Sequence, residues 1–449
     1  MLNVIILAGG KGTRMHSAKP KVLQTLAGKP LICHVLDSVA KLDNPHTIVV
    51  DGFGGELVRK RLQSYPVLFA KQKEQLGTGD AVKTALPHLH ATGKSLILYG
   101  DVPLISPKTL QQLIDANSEG IAMLTAIVDN PFGLGRIVRQ GGKVIAITEQ
   151  KDANEREQAI KEINSGIYCI DNTLLQQFIP KLTNNNAQNE YYLTDVIKMA
   201  VDTGIGITTI SPNLAFEIEG VNDRKQLAKL ERTYQAYLIT KLQEQGVQFA
   251  DPSRVDIRGT LVCGQDVFID INTVFAGNVV LGDGVQIDAN NIITNTTIGA
   301  NSHIKASCVI DDSTLGERVS VGPFAHIRPK TVLGDSVKIG NFVETKKSLL
   351  GAGSKVNHLS YIGDCQMGQA VNVGAGTITC NYDGVHKFTT TIGDNAFIGS
   401  NTSLVAPISI GVGATIGAGS VISKDAPEHK LSLARARQVV IEHWQRPKK

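Results

Sequence analysis

The chain is short of aromatic residues, which make up 5% of its 449 positions, and it has a single tryptophan. Its six cysteines (Cys33, Cys169, Cys263, Cys308, Cys365, Cys380) form no CxxC pair and no metal-ligand spacing, which excludes a structural zinc and fits reduced thiols in a cytoplasmic protein. No apolar run approaches the ~18 residues of a membrane-spanning helix. The first seven residues lack a basic segment and lead straight into a glycine loop, so they read as a buried strand and not as a signal peptide. A net charge of +4 is too small to imply a nucleic-acid partner. The basic tail Arg446-Pro447-Lys448-Lys449 reads as a frayed terminus.

What remains is a chain with the 42% hydrophobic and 19% charged content of a globular protein, too long for a single core. Residues 1–221 alternate β-branched runs, at 4–7, 47–50, 96–99 and 122–128, with helical patterns, which predicts a doubly wound α/β sheet. Over 222–250 the apolar residues Leu227, Leu230, Tyr234, Leu238 and Leu242 recur at helical spacing, predicting an amphipathic linker helix. From 251 to 449 an aliphatic residue followed by glycine recurs, as at Leu281-Gly282, Ile298-Gly299, Leu315-Gly316, Val321-Gly322, Leu333-Gly334 and Ile339-Gly340, and on to Ile416-Gly417, mostly in steps of six or twelve. One inward aliphatic per six residues fits a triangular coil of short strands, a parallel β-helix. Between Val373 and Ile392 the phase slips, and the segment 381–387 reads as a loop thrown out of one coil.

Several motifs carry chemistry. The first strand delivers Leu7-Ala8-Gly9-Gly10-Lys11-Gly12-Thr13-Arg14-Met15, a glycine loop whose N–H groups can approach phosphates, with Arg14 as a charged fork. Pro20-Lys21-Val22-Leu23 follows. Gln72, with Gly77 and Thr78 beyond it, offers an amide beside a glycine turn, suited either to the hydrogen-bonding edge of a uracil or to a plain solvated turn. Tyr99-Gly100-Asp101 ends a buried run at the carboxyl edge of the sheet, where Asp101 suits Mg²⁺ or, alternatively, a helix cap. In the β-helical half, Arg328, Lys346, His358, Tyr361, Asn372, Asn381, Tyr382 and Lys387 are polar or charged where short neutral residues would suffice for folding.

The glycine loop and the Pro-Lys pair together resemble the sugar-1-phosphate nucleotidyltransferase signature LxxGxGTRxxxxxxPKxL. The strings 133–138, 149–151, 164–168 and 220–223 resemble that family's sugar-binding and metal-binding segments in the same order. Residues 325–329, 340–347, 356–364 and 379–384 resemble the acetyltransferase half of the bifunctional bacterial N-acetylglucosamine-1-phosphate uridylyltransferase / glucosamine-1-phosphate acetyltransferase family, and the resemblance covers essentially the whole chain. It implies a left-handed β-helix that assembles as a homotrimer, and it implies UTP, acetyl-CoA and the two sugar phosphates as substrates, with Mg²⁺ at the N-terminal site. Leu7, Ala8, Gly9, Gly10, Lys21, Gln72, Gly77, Thr78, Tyr99, Gly100 and Asp101 would hold the nucleotide, with Arg14 and Lys21 neutralising charge during transfer. Gly135, Glu149, Asn164 and Asn222 would hold the sugar, and Asp101 and Asn222 the metal.

In the second half the resemblance makes His358 the general base, histidine being the side-chain type that titrates near neutrality. Arg328 and Lys346 would grip the sugar phosphate, Tyr361 and Asn372 orient the sugar, and Glu344 hold the amine. Ala375, Asn381, Tyr382, Ser400, Ala418 and Arg435 would contact acetyl-CoA. The chain departs from the pattern at Gly9, where the relatives usually carry alanine and a slightly looser loop is expected, and at Lys73, where a small residue is common. Two other readings compete: a transferase whose β-helix is only a scaffold, and a non-catalytic assembly subunit. The set His358, Arg328 and Lys346 argues against the first; Arg14, Lys21, Asp101 and Asn222 together argue against the second.

Overall fold

The computed structural model describes residues 1–447, so Lys448 and Lys449 of the basic tail lie outside the described residues. The chain divides into two compact units, the division falling between Thr233 and Tyr234, inside the helix Arg224–Glu244.

In the first unit the four expected strands form as Leu2–Leu7, Pro45–Asp51, Lys94–Tyr99 and Ile121–Ile127. Their unbroken apolar runs follow from burial on both faces: Val4, Ile6, Leu96 and Leu98 pack into one core, and Ile5, Leu7, Ile48 and Ile97 into the other. Leu2–Leu7 pairs in parallel with Pro45–Asp51 on one side and with Lys94–Tyr99 on the other, so the order of the strands reverses at their carboxyl ends. That reversal opens the crevice where α/β sheets hold ligands. The sheet is mixed, because Glu162–Asp171 inserts between Lys94–Tyr99 and Ile121–Ile127 and runs antiparallel to both. No α-helix follows the glycine loop directly. Gly12, with a left-handed φ of 58°, turns the chain into a short 3₁₀ segment, Thr13–Met15.

The second unit is a left-handed parallel β-helix. Each short strand pairs with strands about three hexapeptides away, as Gln286 with His303 and Ser320 with Lys338. The aliphatic residues of the repeat, from Leu281 and Ile298 through Ile339 to Ile416, all stack in one buried column. Side chains other than glycine occupy left-handed corners, asparagine repeatedly: Asn272, Asn290, Asn301, Asn395 and Asn401 have φ between 56° and 64°, a conformation asparagine tolerates better than most residues. The slipped phase belongs to the coil in which Asn372 pairs with Phe397. After the strand Ile378–Cys380 the chain leaves as a loop, closed where the Phe388 N–H donates to the Asn381 carbonyl at 2.9 Å, and the coil resumes at Thr390–Ile392.

Because the column is filled by one side chain per strand, a truncation leaves a void that its neighbours cannot collapse into. Ile310→Ala, at a fully buried position, is expected to cost ~2–5 kcal/mol, read as a lowered denaturant midpoint of the wild-type and variant proteins.

Candidate active sites

A cavity of about 910 Å³ opens in the first unit at the strand reversal. Of the residues expected to hold the nucleotide, Leu7, Ala8, Gly9, Gly10, Lys21, Gln72, Gly77, Thr78, Tyr99 and Asp101 line it, as do Gly135, Glu149, Asn164 and Asn222 of the sugar set. Gly100 is buried just behind, its N–H bound to the Leu7 carbonyl at 2.9 Å. Arg14 is exposed and off the lining of the cavity, whose cationic lining residues are Lys21 and Lys229. Lys73 is also exposed and off the lining.

Lys21 makes an ion pair with Asp101, both side chains largely buried, and donates to Asn222 Oδ1 at 3.1 Å. The Val221 N–H, bound to the Asp101 carbonyl at 3.0 Å, brings Asn222 alongside. Two oxygen donors thus converge on a point that a cation fills. Asp101 caps no helix: the next one, Pro107–Ala116, is capped by Ser106, whose Oγ accepts from the Thr109 N–H.

Among the residues expected to hold the sugar, the Asn164 N–H donates to the Gly135 carbonyl at 2.9 Å, and Asn164 Nδ2 donates to the buried Tyr168 hydroxyl at 2.7 Å. Glu149 accepts from the Thr194 hydroxyl at 3.3 Å. Desolvation raises its carboxyl above the ordinary 4.5; the Thr194 bond works against that, and Asp152, Asp195 and Glu190 add to the rise. With the folded pKa above the unfolded one, Glu149 contributes stability below its ordinary value and loses it as pH rises through the raised pKa. Glu149→Gln is therefore expected to gain melting temperature relative to wild type as pH goes from acid to neutral, checked by thermal unfolding across a pH series. Burial also raises Tyr99 above the usual tyrosine range, helped by the charges of Glu149 and Asp101; its phenol stays protonated, able to donate. Gly9 is tighter than the sequence suggests: a Cβ there would lie 2.9 Å from Gln72 Oε1.

The second constellation lies along successive coils of the β-helix. Glu344 and Tyr361 are direct register partners, as are Asn341 and His358 on a neighbouring face. His358 is exposed, with Nδ1 3.1 Å from Asn341 Oδ1. Asn341 Oδ1 can accept from Nδ1–H, the tautomer that has its lone pair on Nε2. Arg328 Nη1 donates to Glu344 Oε1 at 2.6 Å, which sets Glu344, expected to hold the amine, beside the arginine expected to grip the phosphate. Asn381 is buried, its Nδ2 donating to Asp364 Oδ2 at 2.6 Å. Asn372 pairs with Lys355 and Phe397, and Tyr382 stands exposed in the extruded loop. Ala375, Ser400 and Ala418 stack at one corner: the Asn401 N–H donates to the Ala375 carbonyl, the Gly419 N–H to the Ser400 carbonyl, and Arg435 Nη1 to the Ala418 carbonyl at 3.0 Å.

Lys387, on the extruded loop, is among the charged residues that the sequence singles out in this half, without a role of its own. It meets Lys346, and that contact above all, with the charge of Arg328 beyond it, holds the Lys346 ammonium below its ordinary 10.5. Cations crowded this way are relieved by a bound anion.

Three family models match parts of the chain: the MobA-like NTP transferase domain over residues 4–141, the GMPPB C-terminal domain over 257–349, and the hexapeptide repeat of succinyl-transferase over 389–424. Along its whole length the chain is 61% identical to the Bifunctional protein GlmU of Psychrobacter sp. (strain PRwf-1), covering 100% of this chain and 99% of that one. The chain belongs to the GlmU family. The GlmU of Acinetobacter baumannii (strain AYE) is 55% identical over 99% of this chain and 98% of its own, and that of Herminiimonas arsenicoxydans 50% identical over 100% and 99%. A GlmU chain of this make-up is a bifunctional enzyme, a uridylyltransferase in its NTP-transferase half and an acetyltransferase in its hexapeptide half, acting on nucleotide and acetyl-CoA substrates. Among the described residues no helix is long and apolar enough to cross a membrane.

Proposed function

We propose that the chain makes UDP-N-acetylglucosamine from glucosamine 1-phosphate, with the nucleotidyltransferase in residues 1–221, a linker over 222–250 and the acetyltransferase in 251–449. At the β-helix, the substrate amine attacks the thioester carbonyl of acetyl-CoA, the CoA thiolate leaves, and His358 Nε2 takes the amine proton. Arg328, Lys346 and Lys387 grip the phosphate, Tyr361 and Asn372 orient the sugar, and Glu344 positions Arg328. Asn381, Tyr382, Ala375, Ser400, Ala418 and Arg435 hold acetyl-CoA.

At the N-terminal pocket, a phosphate oxygen of N-acetylglucosamine 1-phosphate attacks the α-phosphorus of UTP in line and pyrophosphate leaves. The work of the protein is positioning and charge neutralisation, and no protein nucleophile takes part. Asp101 and Asn222 would hold Mg²⁺. Their convergence on one ammonium fits a hard divalent cation that takes one carboxylate, an amide oxygen and phosphate oxygens. When bound, that ion supplies charge stabilisation to the triphosphate; Lys21, released from Asp101, would turn to the phosphates. Loop N–H groups at Gly9 and Gly10 approach the phosphates, Gln72 and Gly77 the base, and Glu149, Asn164 and Gly135 the sugar.

The convergence of Asp101 and Asn222 on Lys21 at the base of the pocket carries this reading. The homotrimer belongs to the same proposal, supported by an apolar corner of the β-helix where Phe324 and Phe342 stack at 5.5 Å and, with Leu359 on the next coil, stand more than half exposed. A cytoplasmic site of action fits six free cysteines. The test is a pair of assays on the purified protein with Mg²⁺, thiol release from acetyl-CoA with glucosamine 1-phosphate and pyrophosphate release from UTP with N-acetylglucosamine 1-phosphate, with sedimentation to read the assembly. Both activities are expected. Pyrophosphate release alone would reduce the β-helix to a scaffold.

A further inference from the structure

Gln72 is 5% exposed and lines the nucleotide cavity just beyond the strand Leu68–Lys71. Its Nε2 donates to Asp80 Oδ2 at 2.9 Å and to the Gly77 carbonyl at 3.2 Å. An ionised carboxylate and a peptide carbonyl can only accept. Both partners therefore demand the nitrogen, and turning the amide over would break two hydrogen bonds and set Oε1 against two other oxygens. Oε1 is left on the Gly9 side, where a Cβ built on that glycine would come within 2.9 Å of it, and Gly9 is itself part of the cavity wall. Asp80 is not on that wall. It sits in the first turn of the helix Thr78–Ala85, where a carboxylate also suits the helix dipole.

We infer that Asp80 sets the base preference of this pocket by fixing Gln72 as a hydrogen-bond acceptor. Uracil carries an N3–H donor, whereas cytosine carries a bare N3 acceptor at the same place on its edge. An oxygen held against that position pairs with uracil and repels cytosine; without Asp80 only the longer bond to the Gly77 carbonyl, at 3.2 Å, opposes turning the amide over, and an amide that turns serves either base. Asp80 touches no substrate and acts through Gln72, so it is a positioning residue, and the inference rests on the reading that a uridine nucleotide occupies this pocket.

The test compares kcat/KM for UTP and CTP in pyrophosphate release, for the full-length protein and for Asp80→Asn and Asp80→Ala, with circular dichroism and thiol release as checks of folding. Asparagine keeps the shape of the side chain but can donate as well as accept. The preference for UTP over CTP is expected to fall about tenfold in both variants, the scale of one well-placed hydrogen bond turned to a mismatch, through a higher KM for UTP more than a lower kcat. A purely structural role for Asp80 would weaken both nucleotides alike and leave their ratio unchanged; that result overturns the inference. On the unaltered protein, 3-methyl-UTP, which lacks the N3–H, is expected to compete with UTP at least tenfold more weakly than UTP binds, and equal binding would overturn the inference even if the variants did not fold. A wild-type protein that prefers UTP while Asp80→Asn keeps the same ratio removes this inference alone. One that turns over neither triphosphate removes the proposed function with it.

Discussion

His358→Ala is expected to lower acetyl transfer by about 10²–10⁴-fold, the usual contribution of a positioned general base, while pyrophosphate release from UTP stays at the wild-type level. The argument is geometric. Asn341 Oδ1 holds Nδ1 at 3.1 Å, and the ring is exposed on a coil edge beside the face that carries Glu344 and Tyr361. An alanine there removes no packing, so the fold is expected to survive, and thiol release with acetyl-CoA and glucosamine 1-phosphate reads the loss directly. Asn341→Leu should give a smaller loss in the same assay, because it frees the ring without removing the base. A drop of less than tenfold in His358→Ala would mean that the amine loses its proton elsewhere.

Asp101→Ala carries the second large effect. Uridylyl transfer is expected to fall by about 10²–10³-fold, as when a preorganised charge contact at a reacting centre is lost, with thiol release unchanged. Removing the carboxylate also strands Lys21, whose side chain is only 16% exposed. A modest fall in melting temperature is therefore expected as well, and Asp101→Asn, which keeps an oxygen toward the ammonium, should restore the stability but little of the activity. Pyrophosphate release within fivefold of wild type in either variant would remove Asp101 from the site. Raising Mg²⁺ is expected to recover part of the rate in Asp101→Asn and little in Asp101→Ala, since only the former keeps an oxygen donor.

Much of this was legible in the sequence for physical reasons. Strands buried on both faces leave unbroken runs such as Val4-Ile5-Ile6-Leu7, and a coil that points one side chain inward per strand leaves a six-residue rhythm. The loop of 381–387 showed itself as a slip in that rhythm. The antiparallel strand Glu162–Asp171 did not, because its direction is set by the strands beside it and not by its own residues. Long-range pairings stayed hidden for the same reason: Lys21 with Asn222 across 201 positions, Arg328 with Glu344 one coil away, and Lys387 against Lys346. Asp80 escaped notice although it lies eight residues from Gln72, since a carboxylate in the first turn of a helix already has an ordinary explanation. Arg14, read as part of the phosphate grip, belongs to a motif whose 3₁₀ turn leaves it at the surface.

The β-helix gives its half of the chain an unusual kind of freedom. Each coil bonds only to the coil before and the coil after, chiefly through backbone groups that every residue but proline supplies. Length is thus a quantity that can change in whole turns, by duplication or loss of about three hexapeptides at once, without altering the stack of coils from Arg328 to Arg435. A longer insertion out of step with the turn emerges as a bulge, as it does at 381–387, where 382–387 stand exposed, while a one-residue difference is absorbed within the coil, as between the Gln286–His303 and Ser320–Lys338 pairings. In such an architecture insertions sort themselves into spacers and sites by arithmetic alone.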